Sequence, residues 1–473
     1  MTMKKRSSVD DEFILFTMDQ LVPQNHIVRQ LDSALDWTFI YDLVKDYYSP
    51  KGRLSIDPVI LFKIYFLNII LGNNSIRKTC RDIQTDVALR WFLGLSFSEP
   101  VPNYSDWSQN YIRRYQNTDV CDKIFLHIIE ELEKSRLLDT SCIFADSTHQ
   151  KASANKNKSH TAMVEKVKKY SDDELLEAIN EERKKNGKKP FDSLNKTELA
   201  FDEKTGEEIE VSESQQKEIK QSNTDPESGL FHKGEKEKCF AYSQHAICDN
   251  HGYVLAVRTF PGNTHDSTSF FETFESLPEN IKEKVKEIAL DAGYKTPSVL
   301  RFLDHRDILS YLPYKRPMTK KGYFKKHEYQ YDSEKNQYVC PNGEILKYTT
   351  TNRKGYREYK SDPKRCEKCP MKDRCTKSKN NTKLITRHIW QEHVDKAEEI
   401  RRTPMWKTKY PRRKETIERV FAENKEHHNL RYTRVRGLKK NQFQATMLFA
   451  CHNLIKMARM KWERAQKKKL QTV

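Results

Sequence analysis

The chain has 473 residues, of which 85 are lysine or arginine and 67 are aspartate or glutamate, giving a formal net charge of +18 at pH 7. This length allows two or three domains with a substantial core. The positive charge is spread along the whole chain, which favours a nucleic-acid partner over a small acidic substrate or a membrane surface.

No segment is suited to export or to a membrane. The most apolar stretch, Pro58 to Leu71, is interrupted by Lys63 and Asn68 and is too short to cross a bilayer. Acidic residues, not an apolar run, follow the basic start of the chain, unlike in a signal peptide. The ten cysteines therefore indicate a reducing compartment. We expect a cytoplasmic, nucleoid-associated protein with no membrane partner.

Residues 1–138 are predicted to form a helical domain. One helix begins at Pro58, where proline suits the first turn, and a second runs from Ile76 to Leu93 with Ser75 as its cap. Helices in short succession with a basic exposed face fit a helix-turn-helix-like DNA-binding unit. The alternative is an ordinary helical bundle, because any bundle has charged outer faces.

The pattern then changes to strands. The apolar runs Cys142–Ala145 and Val285–Leu290 end at Asp146 and Asp291, which predicts two buried strands, each with a carboxylate at its end. Between them, Asp249-Asn250-His251-Gly252 separates two strand-like runs, as in a hairpin. The order of these elements predicts an α/β fold in which a mixed sheet is flanked by helices.

Two insertions are predicted to interrupt this fold. Residues 159–237 are rich in lysine and glutamate with little strand patterning, so we expect a loop or partly disordered segment that contains an exposed helix, Asp172 to Lys188. Residues 316–404 alternate in polarity and are rich in tyrosine, which predicts a β-rich, cysteine-containing insertion.

The remaining residues divide into three parts. The first part of the α/β core is expected at 139–315, and helices at 405–465 are expected to close it. The last of these, from Gln442 to about Ala465, is amphipathic and should pack on the sheet. The basic tail, 466–473, is predicted to be disordered.

Four of the cysteines lie in the second insertion. Cys366 and Cys369 form a Cys-x2-Cys pair, with Cys340 before it and Cys375 after it. Four thiolates with one such pair fit a tetrahedral structural Zn²⁺ site. The alternative is a set of free thiols.

A third carboxylate lies on a predicted helix near the end of the chain. An apolar stripe at helical spacing faces a core, and Glu418 and Lys425 lie together on a neighbouring face. Alone, this pattern fits a solvated amphipathic helix. Together, Asp146, Asp291 and Glu418 are the oxygen ligands that Mg²⁺ or Mn²⁺ prefers. Two such ions, about 3.5–4 Å apart, can activate a water or 3′-hydroxyl and stabilise the leaving oxygen of a phosphodiester.

Three strings carry these carboxylates: FADSTHQKASANKNK, LDAGYKTP and ETIERVFAENKEHHNLRYTRVRG. They resemble the acidic motifs of the DDE transposases of bacterial insertion sequences. More narrowly, they are similar to the group whose last motif reads Tyr-x2-Arg-x3-Glu-x6-Lys. Glu418 and Lys425 match the Glu-x6-Lys part, whereas Lys414 stands at the arginine position and Pro411 at the tyrosine position, with Tyr410 one residue away.

The resemblance implies a ribonuclease-H-like core that uses Mg²⁺ (or Mn²⁺) to cleave DNA at the ends of an insertion sequence and to join those ends to target DNA. Asp146, Asp291 and Glu418 would be its catalytic metal ligands. A homodimer across paired ends is also implied. The alternatives are a non-catalytic DNA-binding protein derived from a transposase and a ribonuclease-H-like nuclease without strand transfer.

Contacts with DNA are expected from basic residues near the motifs. These residues are His149, Lys151, Lys414, Lys425, Arg434 and Arg436. For His149, a structural hydrogen bond is the alternative.

Overall fold

The computed structural model describes residues 15–52, 54–165, 170–194, 197–201, 208–212, 216–233, 237–316 and 319–471. The chain forms two compact units. The helical unit comprises Met1–Leu138, Val420–Thr433 and Lys439–Val473, and the sheet unit comprises Asp139–Arg419 and Arg434–Leu438. In the described part of the chain, no helix has the length and apolar character needed to cross a membrane.

The helical unit starts with a run of short helices, as predicted. They are α1 (Met18–Leu21), α2 (Ile27–Ala34), α3 (Phe39–Val44), α4 (Pro58–Ile70), α5 (Ile76–Thr85), α6 (Val87–Leu93), α7 (Tyr104–Asn110) and α8 (Val120–Lys134). The predicted start of α4 is confirmed: Asp57 caps it by accepting a hydrogen bond from the Val59 amide at 2.7 Å. Ser75 caps α5, also as predicted.

The prediction of one continuous helix from Ile76 to Leu93 is wrong. Asp86 has an extended backbone, and its carboxylate caps α6 by accepting hydrogen bonds from the amides of Ala88 and Leu89. An aspartate can end one helix and begin the next because its short side chain competes for backbone amides.

The sheet unit is built around a mixed sheet. Its elements up to residue 311 are β1 (Ile143–Lys151), β2 (Ser159–Glu165), α9 (Asp172–Lys185), β3 (Thr197–Phe201), β4 (Glu208–Ser212), β5 (Gln216–Ser222), β6 (Gly229–Lys233), β7 (Glu237–Cys248), β8 (Val254–Pro261), α10 (Asp266–Glu275), α11 (Glu279–Lys282), β9 (Glu287–Leu290), α12 (Pro297–Asp304) and β10 (Leu309–Tyr311). The strand order is β10-β9-β1-β7-β6, with β8 also paired to β7. Strands β1, β9 and β10 are parallel, whereas β7 is antiparallel to β1, β6 and β8. The predicted mixed sheet and the hairpin between β7 and β8 are confirmed.

The prediction of little strand structure in residues 159–237 is wrong. Strand β2 pairs with β5, β3 pairs with β4, and β6 extends the main sheet through β7. Strands pair through their backbone N–H and C=O groups. They can therefore form even where charged side chains obscure the alternation of apolar and polar residues. The predicted exposed helix is present as α9. Part of the predicted disorder falls outside the described residues, at 166–169, 195–196, 202–207, 213–215 and 234–236.

The cysteine-containing insertion forms a second sheet. Its elements, with the helices that follow, are β11 (Gln330–Asp332), β12 (Gln337–Val339), β13 (Ile345–Thr351), β14 (Tyr356–Ser361), α13 (Pro363–Glu367), α14 (Lys372–Cys375), β15 (Leu384–His388), α15 (Gln391–Arg401) and α16 (Pro404–Lys409). The five strands are antiparallel neighbours in chain order. Buried tyrosines, including Tyr338 and Tyr359, fill its core. The predicted β-rich insertion is confirmed in the described residues.

The two insertions pack on each other within the sheet unit. Glu182 of α9 accepts two hydrogen bonds from Arg357 of β14, at 2.9 and 3.0 Å. Arg183 donates to the carbonyl of Thr351 at 2.8 Å. A bidentate arginine–carboxylate pair fixes both distance and orientation, so α9 is docked on the second sheet instead of being free in solvent.

The chain closes with α17 (Ile417–His427) and α18 (Leu438–Gln471). From Lys439 onward α18 belongs to the helical unit, and its expected packing on the main sheet stays a prediction. Its Phe443 ring meets Tyr65 of α4 edge-on, with centroids 5.9 Å apart. Helix α4 is apolar on nearly every side and requires such cover. The predicted disorder of the tail is wrong up to Gln471, and residues 472–473 lie outside the described part.

We predict that Phe443→Ala destabilises the helical unit. Phe443 is 7% exposed and its ring lies 5.0 Å from that of Tyr111, so truncation should lower the free energy of unfolding by about 3–5 kcal/mol. Hydrogen exchange should become faster at the amides of α4. The exchange rates of the amides of β1 and β9 should not change. Leu470→Ala, at a residue that is 80% exposed, is the control. Faster exchange in β1 and β9 with α4 unchanged would contradict this packing.

Candidate functional site

The pairing of β1 with β9 brings two aspartates together. Ala145 and Leu290 are partners in the parallel register, and Asp146 and Asp291 are the next residues on their strands. The three residues before each aspartate, Ile143–Ala145 and Ile288–Leu290, are apolar and buried inside the sheet. Strand β9 ends at Leu290 as predicted, but β1 continues to Lys151. Asp146 therefore lies within β1, because the residues after it still pair with β7.

A buried arginine lies between the two carboxylates. Arg413 Nη2 is 2.7 Å from Asp146 Oδ2, and Arg413 Nη1 is 3.5 Å from Asp291 Oδ1. The Arg413 side chain is 5% exposed, and a 3₁₀ turn, Tyr410–Lys414, delivers it to the site. Nη1 also donates a hydrogen bond to the Tyr410 hydroxyl at 3.3 Å. The guanidinium thus neutralises part of the negative charge that the parallel register concentrates here.

The pKa of Asp146 is raised to about 6, mainly because the carboxyl group is buried. The Arg413 charge and a hydrogen bond from the Ser147 amide, 2.8 Å from Asp146 Oδ1, oppose this shift. The negative charges of Asp291 and Asp266 add to it. The site therefore has an excess of negative charge that a further cation would relieve.

Glu418, the third predicted ligand, is exposed in the first turn of α17. Burial raises the pKa of the Tyr410 hydroxyl, and the charges of Asp291 and Glu418 raise it further. The charge of Glu418 therefore acts on Tyr410, the residue that contacts Arg413. In the described part of the chain, no group of three or more His, Cys, Asp or Glu side chains has the arrangement of a metal site. The carboxylate oxygens of Asp146 and Asp291 are nevertheless the donors that suit Mg²⁺.

The structure changes which basic residue belongs to the last motif. Lys414, which stands at the arginine position when one counts back from Glu418, is exposed. Arg413 contacts the aspartates instead, three residues after Tyr410. Counting forward from Tyr410 preserves the Tyr-x2-Arg spacing and leaves one extra residue before Glu418. The sequence therefore contained a signal for Arg413, but the count from the glutamate missed it.

The other predicted DNA-contacting residues have different surroundings. His149 Nε2 lies 3.2 Å from the Gly262 carbonyl, and its ring stacks on Phe231 with centroids 3.6 Å apart, which fits the structural alternative. Lys151 forms an ion pair with Glu237 at 2.8 Å.

The three remaining basic residues lie near the end of the chain. Arg434 and Arg436 are exposed, and Arg436 Nε donates to the Ser153 carbonyl at 3.0 Å. Lys425 is half-buried on α17. These surroundings leave contacts with DNA as predictions.

The four cysteines of the second insertion are neighbours. Burial raises the pKa of the Cys366 thiol, and the other three cysteines, Cys340, Cys369 and Cys375, raise it further. Cys366 Sγ is 3.1 Å from the Ser361 hydroxyl, and Cys375 Sγ is 3.2 Å from the Tyr329 hydroxyl. The four thiols thus lie close together. Two of them, those of Cys366 and Cys375, also lie within hydrogen-bond distance of a hydroxyl group.

Two family models match the chain. Residues 16–113 match a transposase domain (DUF772), and residues 339–458 match a transposase DDE domain. The first match covers most of the N-terminal helices, and the second covers the cysteines, Arg413 and Glu418. No curated protein and no solved structure matched the chain. The matches confirm the resemblance carried by the three motifs and support an insertion-sequence DDE transposase.

Proposed function

We propose that this protein is a Mg²⁺-dependent DNA transposase that binds the ends of its insertion sequence, cleaves phosphodiester bonds there and joins the ends to target DNA. The observation that carries the proposal is the adjacency of Asp146 and Asp291 around the buried Arg413. The family matches and the net charge of +18 support the choice of DNA as substrate.

We infer a ribonuclease-H-like core for the sheet unit. Support comes from the mixed sheet, in which antiparallel β8, β7 and β1 continue into parallel β9 and β10. Support also comes from the two aspartates on adjacent parallel strands, since the ends of such strands are where catalytic residues gather in α/β sheets.

Asp146, Asp291 and Glu418 would hold Mg²⁺ or Mn²⁺. A bound pair of such ions supplies an activated water or 3′-hydroxyl and stabilises the leaving oxygen. Arg413 keeps the two aspartates together, and the half-exposed Asp291 and exposed Glu418 leave the site open on one side.

Several basic residues would bind the DNA backbone around this site. They are Lys414, Lys425, Arg434 and Arg436, with His149 and Lys151 after β1. The helical unit would recognise the terminal repeats, and two copies of the chain would act together on paired ends. A cytoplasmic location at the nucleoid follows from this role.

We also propose that Cys340, Cys366, Cys369 and Cys375 bind a structural Zn²⁺. The support is the Cys-x2-Cys pair, in which the Cys369 amide donates to the Cys366 carbonyl at 3.3 Å, and the packing of Cys340 and Cys375 against the same tyrosine core. The metal would then stabilise a sheet whose tyrosine core is small.

Glu418→Gln should abolish cleavage without preventing DNA binding. The amide keeps the shape of the side chain but removes the charge that attracts the ion, so we expect a loss of at least about 100-fold in rate. The measurement is Mg²⁺-dependent cleavage of a duplex carrying the end of the element, with binding followed by gel shift. Glu415→Gln, at an exposed residue just before α17, is the matched control. A Glu418→Gln protein that cuts as fast as wild type would exclude Glu418 as a ligand.

Arg413→Gln should destabilise the metal-free protein, because two neighbouring carboxylates lose the cation that compensates them. We expect a loss of about 3–5 kcal/mol, since a buried charge is left without its partner. Mn²⁺ should raise the melting temperature of this variant more than that of wild type. The exposed Lys414→Gln serves as control. An equal rise in both proteins would show that Arg413 and the ion do not compensate the same charges.

Zinc analysis of the purified protein tests the cysteine proposal. We expect about one Zn²⁺ per chain, lost in Cys369→Ser and retained in Cys239→Ser, a cysteine of β7 outside the insertion. Chelation should lower the melting temperature of the wild type. A wild-type protein purified without chelator that contains no zinc would contradict the site.

A further inference from the structure

Asp266, the first residue of α10, contacts both segments that carry the paired aspartates. Its Oδ1 accepts a hydrogen bond from the Ser147 hydroxyl at 2.8 Å. Its Oδ2 lies against the backbone of Gly293, where a Cβ atom would come within 2.3 Å of it. Ser147 directly follows Asp146, and Gly293 lies two residues after Asp291. The Asp266 carboxylate thus contacts the chain next to Asp146 and next to Asp291, the two candidate metal ligands.

The contact with Ser147 acts on Asp146 through a single residue. The Ser147 amide donates to Asp146 Oδ1 at 2.8 Å, while the Ser147 hydroxyl donates to Asp266. The Ser147 amide is therefore held by the Asp146 carboxylate, and the Ser147 hydroxyl is held by the Asp266 carboxylate. Loss of the second bond leaves the Ser147 side chain without the acceptor that orients it.

The contact with Gly293 acts on the turn that follows Asp291. This turn is a short 3₁₀ segment, Ala292–Tyr294, and a Cβ atom at Gly293 would meet the Asp266 carboxylate. The Tyr294 hydroxyl lies 3.0 Å from the buried His245 Nδ1, and His245 Nε2 lies 3.9 Å from Asp266. The Asp266 carboxylate and the turn after Asp291 thus both lie next to the buried imidazole of His245.

His245 does not turn this contact into an ion pair. Burial lowers the pKa of His245 to about 3, so the imidazole is neutral at physiological pH. Asp266 is therefore fixed by its position in α10 and by the hydrogen bond from the Ser147 hydroxyl. The Asp266 side chain is 31% exposed.

We propose that Asp266 is a positioning residue of the catalytic centre, which fixes the separation of Asp146 and Asp291 through the Ser147 hydroxyl and the close approach to Gly293. The inference rests on the proposed transposase function. Asp266 acts as a hydrogen-bond acceptor of the right size, and its charge is not what the site needs. The competing role is that of a further metal ligand, for which the charge is essential.

The test measures Mn²⁺ binding to the full-length protein, with free Mn²⁺ followed by electron paramagnetic resonance, alongside single-turnover cleavage of an element end. Asp266→Ala removes the acceptor, and Ser147→Ala removes its donor. We expect both to weaken Mn²⁺ binding and cleavage by about 10–100-fold, the usual effect of losing a group that orients metal ligands. Asp266→Asn keeps an oxygen in place and should remain close to wild type. Glu272→Ala, at an exposed residue of the same helix, is the matched control.

Each outcome decides the role. If Asp266→Asn is as impaired as Asp266→Ala, the charge matters and the positioning role is wrong. If Asp266→Ala binds Mn²⁺ and cuts like wild type, Asp266 has no role in the site. A fall in melting temperature with unchanged Mn²⁺ affinity of the folded protein indicates a purely structural contact and also overturns the proposal. Should Asp266→Ala fail to fold, Ser147→Ala and Asp266→Asn give the same decision.

Failure of the proposed function gives a different result. A wild-type protein that neither binds Mn²⁺ nor cuts removes the metal site itself, and the role of Asp266 falls with it. A wild type that binds and cuts, with every Asp266 and Ser147 variant unaffected, overturns only the positioning role.

Discussion

The site depends on one electrostatic constraint: two carboxylates lie side by side because the register of two parallel strands places them there. Backbone pairing of β1 with β9 is enforced by apolar residues buried inside the sheet, so neither Asp146 nor Asp291 can move away without breaking the core. Two neighbouring carboxylates repel each other, and a cation that contacts both reduces the repulsion. In the described structure the cation is the Arg413 guanidinium. A sheet that enforces repulsion in this way is suited to hold a divalent ion.

The arrangement also explains why the last part of the chain contributes to the site. The 3₁₀ turn that delivers Arg413 lies directly before α17, so one short segment supplies both the arginine and Glu418. From Val420 the same helix belongs to the helical unit, as does α18 from Lys439. Helix α17 is therefore shared by the two units.

Sequence reasoning predicted the features that depend on local pattern. Apolar runs that end at Asp146 and Asp291 predicted the two buried strands, and an apolar stripe at a period of 3.6 predicted the helix that carries Glu418. It failed where a polar side chain acts on the backbone, as at Asp86, and where strands pair without apolar alternation, as in the charged insertion. The contact of Arg413 with both aspartates could not be predicted by counting back from Glu418, because one extra residue separates them. Asp266 carried no signal at all, since its partners lie more than twenty residues away on other elements.

Iron-mediated cleavage of the polypeptide tests the central claim most directly. With hydrogen peroxide and ascorbate added, Fe²⁺ bound in a Mg²⁺ site reduces the peroxide to hydroxyl radicals that cut the backbone near the ligands, so the cut positions report which residues surround the ion. The account predicts cuts beside Asp146, Asp291 and Glu418, all suppressed by excess Mg²⁺. Cuts confined to other segments, or cuts beside the two aspartates with none near Glu418, would contradict the three-carboxylate site.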